Sequence, residues 1–122
     1  MAKVYIGVDF HARKQTISYL TTEDGEIQQL ELDHEKNDVR AFYAQFHDQK
    51  VIVGFESSGY AAWFEDLLEE LGCEIWVGHA AEIQRRARRR QKNDRRDAGL
   101  MLELMLRGDF PRIHRYCILA GA

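Results

Sequence analysis

The sequence lacks any apolar run able to cross a membrane: the longest are about five residues, such as Val51 to Phe55, where a spanning helix needs roughly 18 to 20. No signal or transit peptide is expected either. Met1-Ala2-Lys3-Val4-Tyr5 runs straight into a strand-like pattern, which reads as a cytoplasmic protein. Cysteine is scarce. Cys73 and Cys117 lie far apart and form no CxxC pair, which argues against a disulfide framework and a zinc site and fits a reducing compartment. There is no internal repeat, and no low-complexity segment other than one arginine-rich block. What is there is 122 residues, 45% hydrophobic and 11% aromatic, enough for a single folded domain and too apolar for a disordered chain.

The formal net charge of −3 argues on its face against nucleic acid, but its distribution argues the reverse. Residues 85–96 hold eight cations and one carboxylate, a charge of +7. The rest of the chain holds nine cations and nineteen carboxylates, a charge of −10. A single-signed block of this kind marks a polyanion contact. The competing reading is a solvated helix face. It is weakened because these arginines have almost no Glu or Asp at helical spacing, and because arginine suits forked contacts to phosphate oxygens. The candidate nucleic-acid-binding residues are Arg85, Arg86, Arg88, Arg89, Arg90, Lys92, Arg95 and Arg96.

Hydrophobic periodicity gives the elements. Lys3 to Asp9, Gln15 to Thr21 and Ile27 to Asp33 read as three strands of an antiparallel meander, with Asp24-Gly25 in the second turn. Asn37 or Asp38 is placed to cap a helix running to about His47. Lys50 to Glu56 is nearly continuous in apolar residues, as in a strand buried on both faces. Ser57-Ser58-Gly59 opens a helix over Tyr60 to Leu71, closed by Gly72, and Cys73 to Val77 is a fifth strand. Ala80 to Gln91 reads as a strongly basic helix. Asn93 or Asp94 is placed to cap a last one through Arg107, which Gly108 ends. The order β-β-β-α-β-α-β-α predicts an α/β fold, a mixed sheet with helices on its faces.

Four carboxylates stand out by position. Asp9 ends the first strand and Glu56 the fourth. If these strands are parallel neighbours, both side chains emerge at one sheet edge, where open α/β sheets place their sites. Asp94 and Asp97 are spaced i, i+3 and share a face on a helix, near the positive end of its dipole. Each acid alone has a plainer reading: a strand-end turn for Asp9, a helix cap for Asp94, an arginine partner for Asp97. Together, with no His or Cys among them, they specify a hard oxygen-ligand site for Mg²⁺ or Mn²⁺. Two such ions roughly 4 Å apart serve phosphodiester cleavage.

Three stretches carry a family resemblance: Tyr5-Ile6-Gly7-Val8-Asp9-Phe10-His11, Gly54-Phe55-Glu56-Ser57-Ser58-Gly59-Tyr60 and Lys92-Asn93-Asp94-Arg95-Arg96-Asp97-Ala98. In this order they resemble the DEDD transposases of the insertion-sequence one-ten type, relatives of the Piv DNA invertases. The resemblance implies a RuvC-like domain of ribonuclease H fold, with a five-stranded mixed sheet, over residues 1–113. It implies metal-binding, catalytic roles for Asp9, Glu56, Asp94 and Asp97, with Mg²⁺ (or Mn²⁺) as cofactor. It also implies DNA recombination as the activity, a noncoding bridge RNA as a second nucleic-acid partner, and a homo-oligomer. The family continues into a helical connector and a second domain bearing a serine nucleophile. Residues 114–122 are expected to be a short tail that stops before these, and Ser18, Ser57 and Ser58 are the only serines.

Two other functions use the same features: a junction-resolving endonuclease of the same fold, and a nucleic-acid-binding remnant without catalysis. An actin-like ATP-binding domain shares the strand order. It carries a Gly-Thr phosphate turn after the first aspartate, where this chain has Phe10-His11-Ala12-Arg13. His11 is placed to touch substrate or a metal-bound water, though its plainer reading is a turn residue. His79 reads as a loop residue. Trp63, Phe64 and Trp76 offer rings for base stacking but read first as core.

Overall fold

The computed structural model describes residues 2–57, 61–89 and 98–113, without the side chains of Arg88 and Arg89. Five strands form one sheet: β1 (Lys3–Phe10), β2 (Lys14–Thr21), β3 (Ile27–Asp33), β4 (Lys50–Glu56) and β5 (Glu74–Gly78). Their spatial order is β3-β2-β1-β4-β5. The first three pair antiparallel, as their short connections dictate, while β4 runs parallel to both β1 and β5. This α/β architecture is the ribonuclease H-like fold. The segment after the last helix lies along the outer edge of β5, where Ile113 N–H donates to the Val77 carbonyl at 2.8 Å and His79 N–H to the Pro111 carbonyl at 2.8 Å.

Strand alternation splits the core into two layers. Val4, Ile6 and Val8 of β1, with Val51, Val53 and Phe55 of β4, face α1 (Asp38–Ala44) and α2 (Ala62–Glu70), burying Phe42, Tyr43, Phe64 and Leu68. On the other face Tyr5, Ile52 and Trp76 meet α3 (Ala80–Arg89) and α4 (Ala98–Arg107), through Ile83, Ala87, Leu100, Met101, Leu104 and Met105. Gly7 and Gly54 are paired in register on this second face. A methyl on Gly7 would collide with the backbone of Leu102 and come within 2.8 Å of the Ala98 carbonyl oxygen, and one on Gly54 would meet Met105 Sδ at 2.7 Å. The two missing side chains are what let α4 lie against the middle of the sheet.

Several boundaries differ from the sequence expectation. β1 and β2 each gain a residue at their shared turn and β5 is shifted by one, while both helices expected after it are present, α3 from Ala80 and α4 through Arg107. Ser57 does not cap α2. Its N–H donates to the Gly78 carbonyl at 3.0 Å and prolongs the pairing of β4 with β5, while Ala61 stands at the helix start. Asn37 stands at the start of α1 but makes no side-chain cap, because its backbone (φ −82°, ψ 26°) is not in the extended region that capping favours. α1 ends at Ala44. Phe46 and His47 follow in tight turns with i−3 hydrogen bonds that still bury Phe46. Asn93 and Asp94, the expected caps of the last helix, lie outside the described residues, as do Ser58 to Tyr60 and the expected tail at 114–122. Among the described residues, no helix is long and apolar enough to cross a membrane.

Candidate active site

The last ladder pair between the parallel strands β1 and β4 is Val8 with Phe55. One position further stand Asp9 and Glu56, side by side at the carboxyl ends of adjacent strands. Each lies two residues beyond Gly7 or Gly54, so both share the face that carries α4. They line a cavity of about 400 Å³ with Val8, Phe10, His11, Ser57 and Met101. Met101 lies one turn before Met105, so α4 runs with its amino-terminal half toward the two acids. That end carries the positive part of the helix dipole. The residues directly before Ala98 in the chain are the Asp94–Asp97 block, which lies outside the described residues.

Asp9 and Glu56 are both at the sheet edge rather than in the core. Asp9 is partly buried and its carboxylate is engaged: His11 Nε2–H donates to its Oδ2 at 3.2 Å. His11 is therefore a turn residue that folds back on the acid two positions earlier. Across the sheet, Thr16 of β2 stands opposite Asp9, and Lys14 Nζ, at the same end, is paired with Glu31 Oε2 at 3.1 Å. Among the described residues, no three His, Cys, Asp or Glu side chains converge as a metal-binding group. Asp9 and Glu56 form the described part of the predicted four. The half-buried Cys73 thiol is pushed up to about 11 by burial and stays protonated.

The basic block needs a correction. Its first two arginines do have acidic partners: Arg85 Nη2 lies 2.6 Å from Glu82 Oε2, and Arg86 Nη1 lies 3.0 Å from Glu82 Oε1. Arg86 Nε also lies 3.3 Å from Asp109 Oδ1. Glu82 stands three and four residues earlier, at helical spacing. The hydrogen bond from Arg86 is the main cause that holds its carboxyl below the ordinary range. Ile83 and Ala87 are fully buried, so α3 is seated on the core by one face. The side chains of Arg88 and Arg89, and all of Arg90, Lys92, Arg95 and Arg96, lie outside the described residues. Trp63 is also corrected: it is 42% exposed, packed edge-on against His34 and beside Phe10, whereas Phe64 is fully buried as expected. Trp76 is half-buried, with the Arg112 guanidinium 5.0 Å from its ring centre.

A family model described as Transposase, that of the DEDD transposases of insertion sequence IS110, matches residues 6–116. The chain belongs to this DEDD transposase family. The match covers the first motif block from Ile6 on, the other two in full, and both described acids. No curated protein matches the chain. For a DEDD transposase, two adjacent carboxylates at the carboxyl edge of a ribonuclease H-like sheet are a chemically coherent pair. They offer hard oxygen donors on one face, beside a cavity with room for a phosphate group.

Proposed function

We propose that this DEDD transposase domain binds DNA and contributes to its strand cleavage in transposition or site-specific recombination, with Asp9, Glu56, Asp94 and Asp97 holding Mg²⁺ or Mn²⁺. The observation that carries the reading is the strand register. It sets Asp9 beside Glu56 on neighbouring parallel strands, on one face and at one edge of the cavity. The two acids stand on strands whose backbones lie about 4.8 Å apart, and hard carboxylate oxygens on one face suit a divalent cation. The donor chemistry therefore fits the group the family implies. When bound, such ions activate a water or hydroxyl and stabilise the leaving oxygen of a phosphodiester.

The chain's own residues supply the rest. Asp9 and Glu56 offer oxygen ligands from rigid strand ends. Met101 of α4 lines the same cavity. The arginine-rich segment at 85–96 holds the phosphate backbone of DNA and of a guiding bridge RNA, in a homo-oligomer. A crystal soaked in Mn²⁺ tests the metal site. Anomalous density between Asp9 and Glu56, lost in Asp9→Ala and in Glu56→Ala while each variant keeps the wild-type circular dichroism, is the expected result. Density that survives either substitution, or none with and without a short duplex, refutes the reading.

A further inference from the structure

We propose that His11 is a positioning residue that fixes the Asp9 carboxylate in the orientation in which it takes a divalent cation; this rests on the reading of Asp9 and Glu56 as a metal site. A carboxylate oxygen accepts hydrogen bonds, so in the 3.2 Å contact to Oδ2 His11 Nε2 is the donor. The donor is held from its own backbone. His11 N–H donates to the Lys14 carbonyl at 2.9 Å, closing the turn between β1 and β2. The same turn is fastened to the residue after β3, where His34 N–H donates to the Arg13 carbonyl at 2.8 Å and His34 Nδ1–H to the Ala12 carbonyl at 3.2 Å. A turn held by these backbone bonds presents the imidazole to Asp9, and the contact restricts the Asp9 side chain. It engages Oδ2 of a carboxylate that lines the same cavity as Glu56. Carboxylate ligands held this way bind metal more tightly because their orientation is set before the ion arrives.

A second role for the same contact has the opposite sign. If the imidazole merely fills a lone pair that the ion needs, its removal strengthens metal binding. The experiment is calorimetric titration of the full chain with Mn²⁺, comparing wild type, Asp9→Ala, His11→Ala and His11→Gln. Glutamine keeps an N–H donor at similar reach. The His11 side chain is 53% exposed, so its removal opens no core cavity and the melting temperature is expected to hold. The expected result is Mn²⁺ binding that depends on Asp9, weakened roughly 10- to 100-fold in His11→Ala and largely restored in His11→Gln. Affinity in His11→Ala that is unchanged or tighter overturns the positioning role, as does a loss in His11→Gln as deep as in His11→Ala. Absence of any Asp9-dependent binding in the wild type overturns the metal reading itself, and this inference with it.

Discussion

Tyr43, Gln15 and His34 form a polar chain inside the apolar layer under α1. Tyr43 Oη–H donates to Gln15 Oε1 at 2.6 Å, and Gln15 Nε2–H donates to His34 Nε2 at 3.2 Å. His34 Nδ1–H then reaches the Ala12 carbonyl. In this chain His34 accepts at Nε2 and carries its proton on Nδ1. Burial raises the Tyr43 phenol well above its ordinary range, so it remains the donor. Removing that donor strands a fully buried amide oxygen, and Tyr43→Phe is expected to cost about 1–3 kcal/mol in urea unfolding. Ser18 gives the opposite case. Its hydroxyl is buried beside Gly7 with no hydrogen-bond partner among the described residues. Ser18→Ala is expected to be neutral, or to stabilise by up to about 1 kcal/mol in the same assay. A destabilised Ser18→Ala would show that the hydroxyl has a partner.

At the scale of elements, the seat of α4 on β1 and β4 brings Met101 into the cavity that Asp9 and Glu56 line. The two glycines beneath it are not equivalent. At Gly7 an added methyl meets helix backbone, which can move only as a whole helix. At Gly54 it meets the Met105 thioether, the flexible part of a side chain. Gly7→Ala is expected to destabilise by about 1–3 kcal/mol or more, and Gly54→Ala by less. Denaturant midpoints rank the two directly. Gly7→Ala should also weaken Mn²⁺ binding, because it lifts the helix end that faces Asp9 and Glu56. Equal midpoints for the two variants would contradict the close packing of α4.

For the whole molecule, charge is segregated: an acidic domain carries one strongly basic segment. Within that segment the arginines differ. Arg85 and Arg86 are partly neutralised by Glu82 and Asp109 and help seat α3, so the proposed polyanion contact falls mainly to the arginines that follow in the sequence. Replacing Arg88, Arg89 and Arg90 by alanine should therefore weaken duplex binding and reduce its log–log salt slope by about 0.9 for each phosphate no longer held. Replacing Arg85 and Arg86 should change the slope less. Affinities measured across a salt series separate these outcomes, and an unchanged slope in the triple variant removes the block from the interface.

The sequence by itself determined the element order, the five strands and the acid at the end of each of β1 and β4. Those features rest on local periodicity and on short connections, which a chain carries in its own order. It also carried the motif blocks by which the family is recognised. Only tertiary structure decided the rest. The parallel register of β1 with β4 turned Asp9 and Glu56, far apart in sequence, into neighbours on one face. The fold-back of the first turn brought His11 onto Asp9. The pairing of Ser57 with β5 took it away from the start of α2, and the seating of α2 on Phe64 and Leu68 left Trp63 partly in solvent. Each depends on which strand lies beside which, and that follows from burying two apolar layers at once on opposite sides of one sheet.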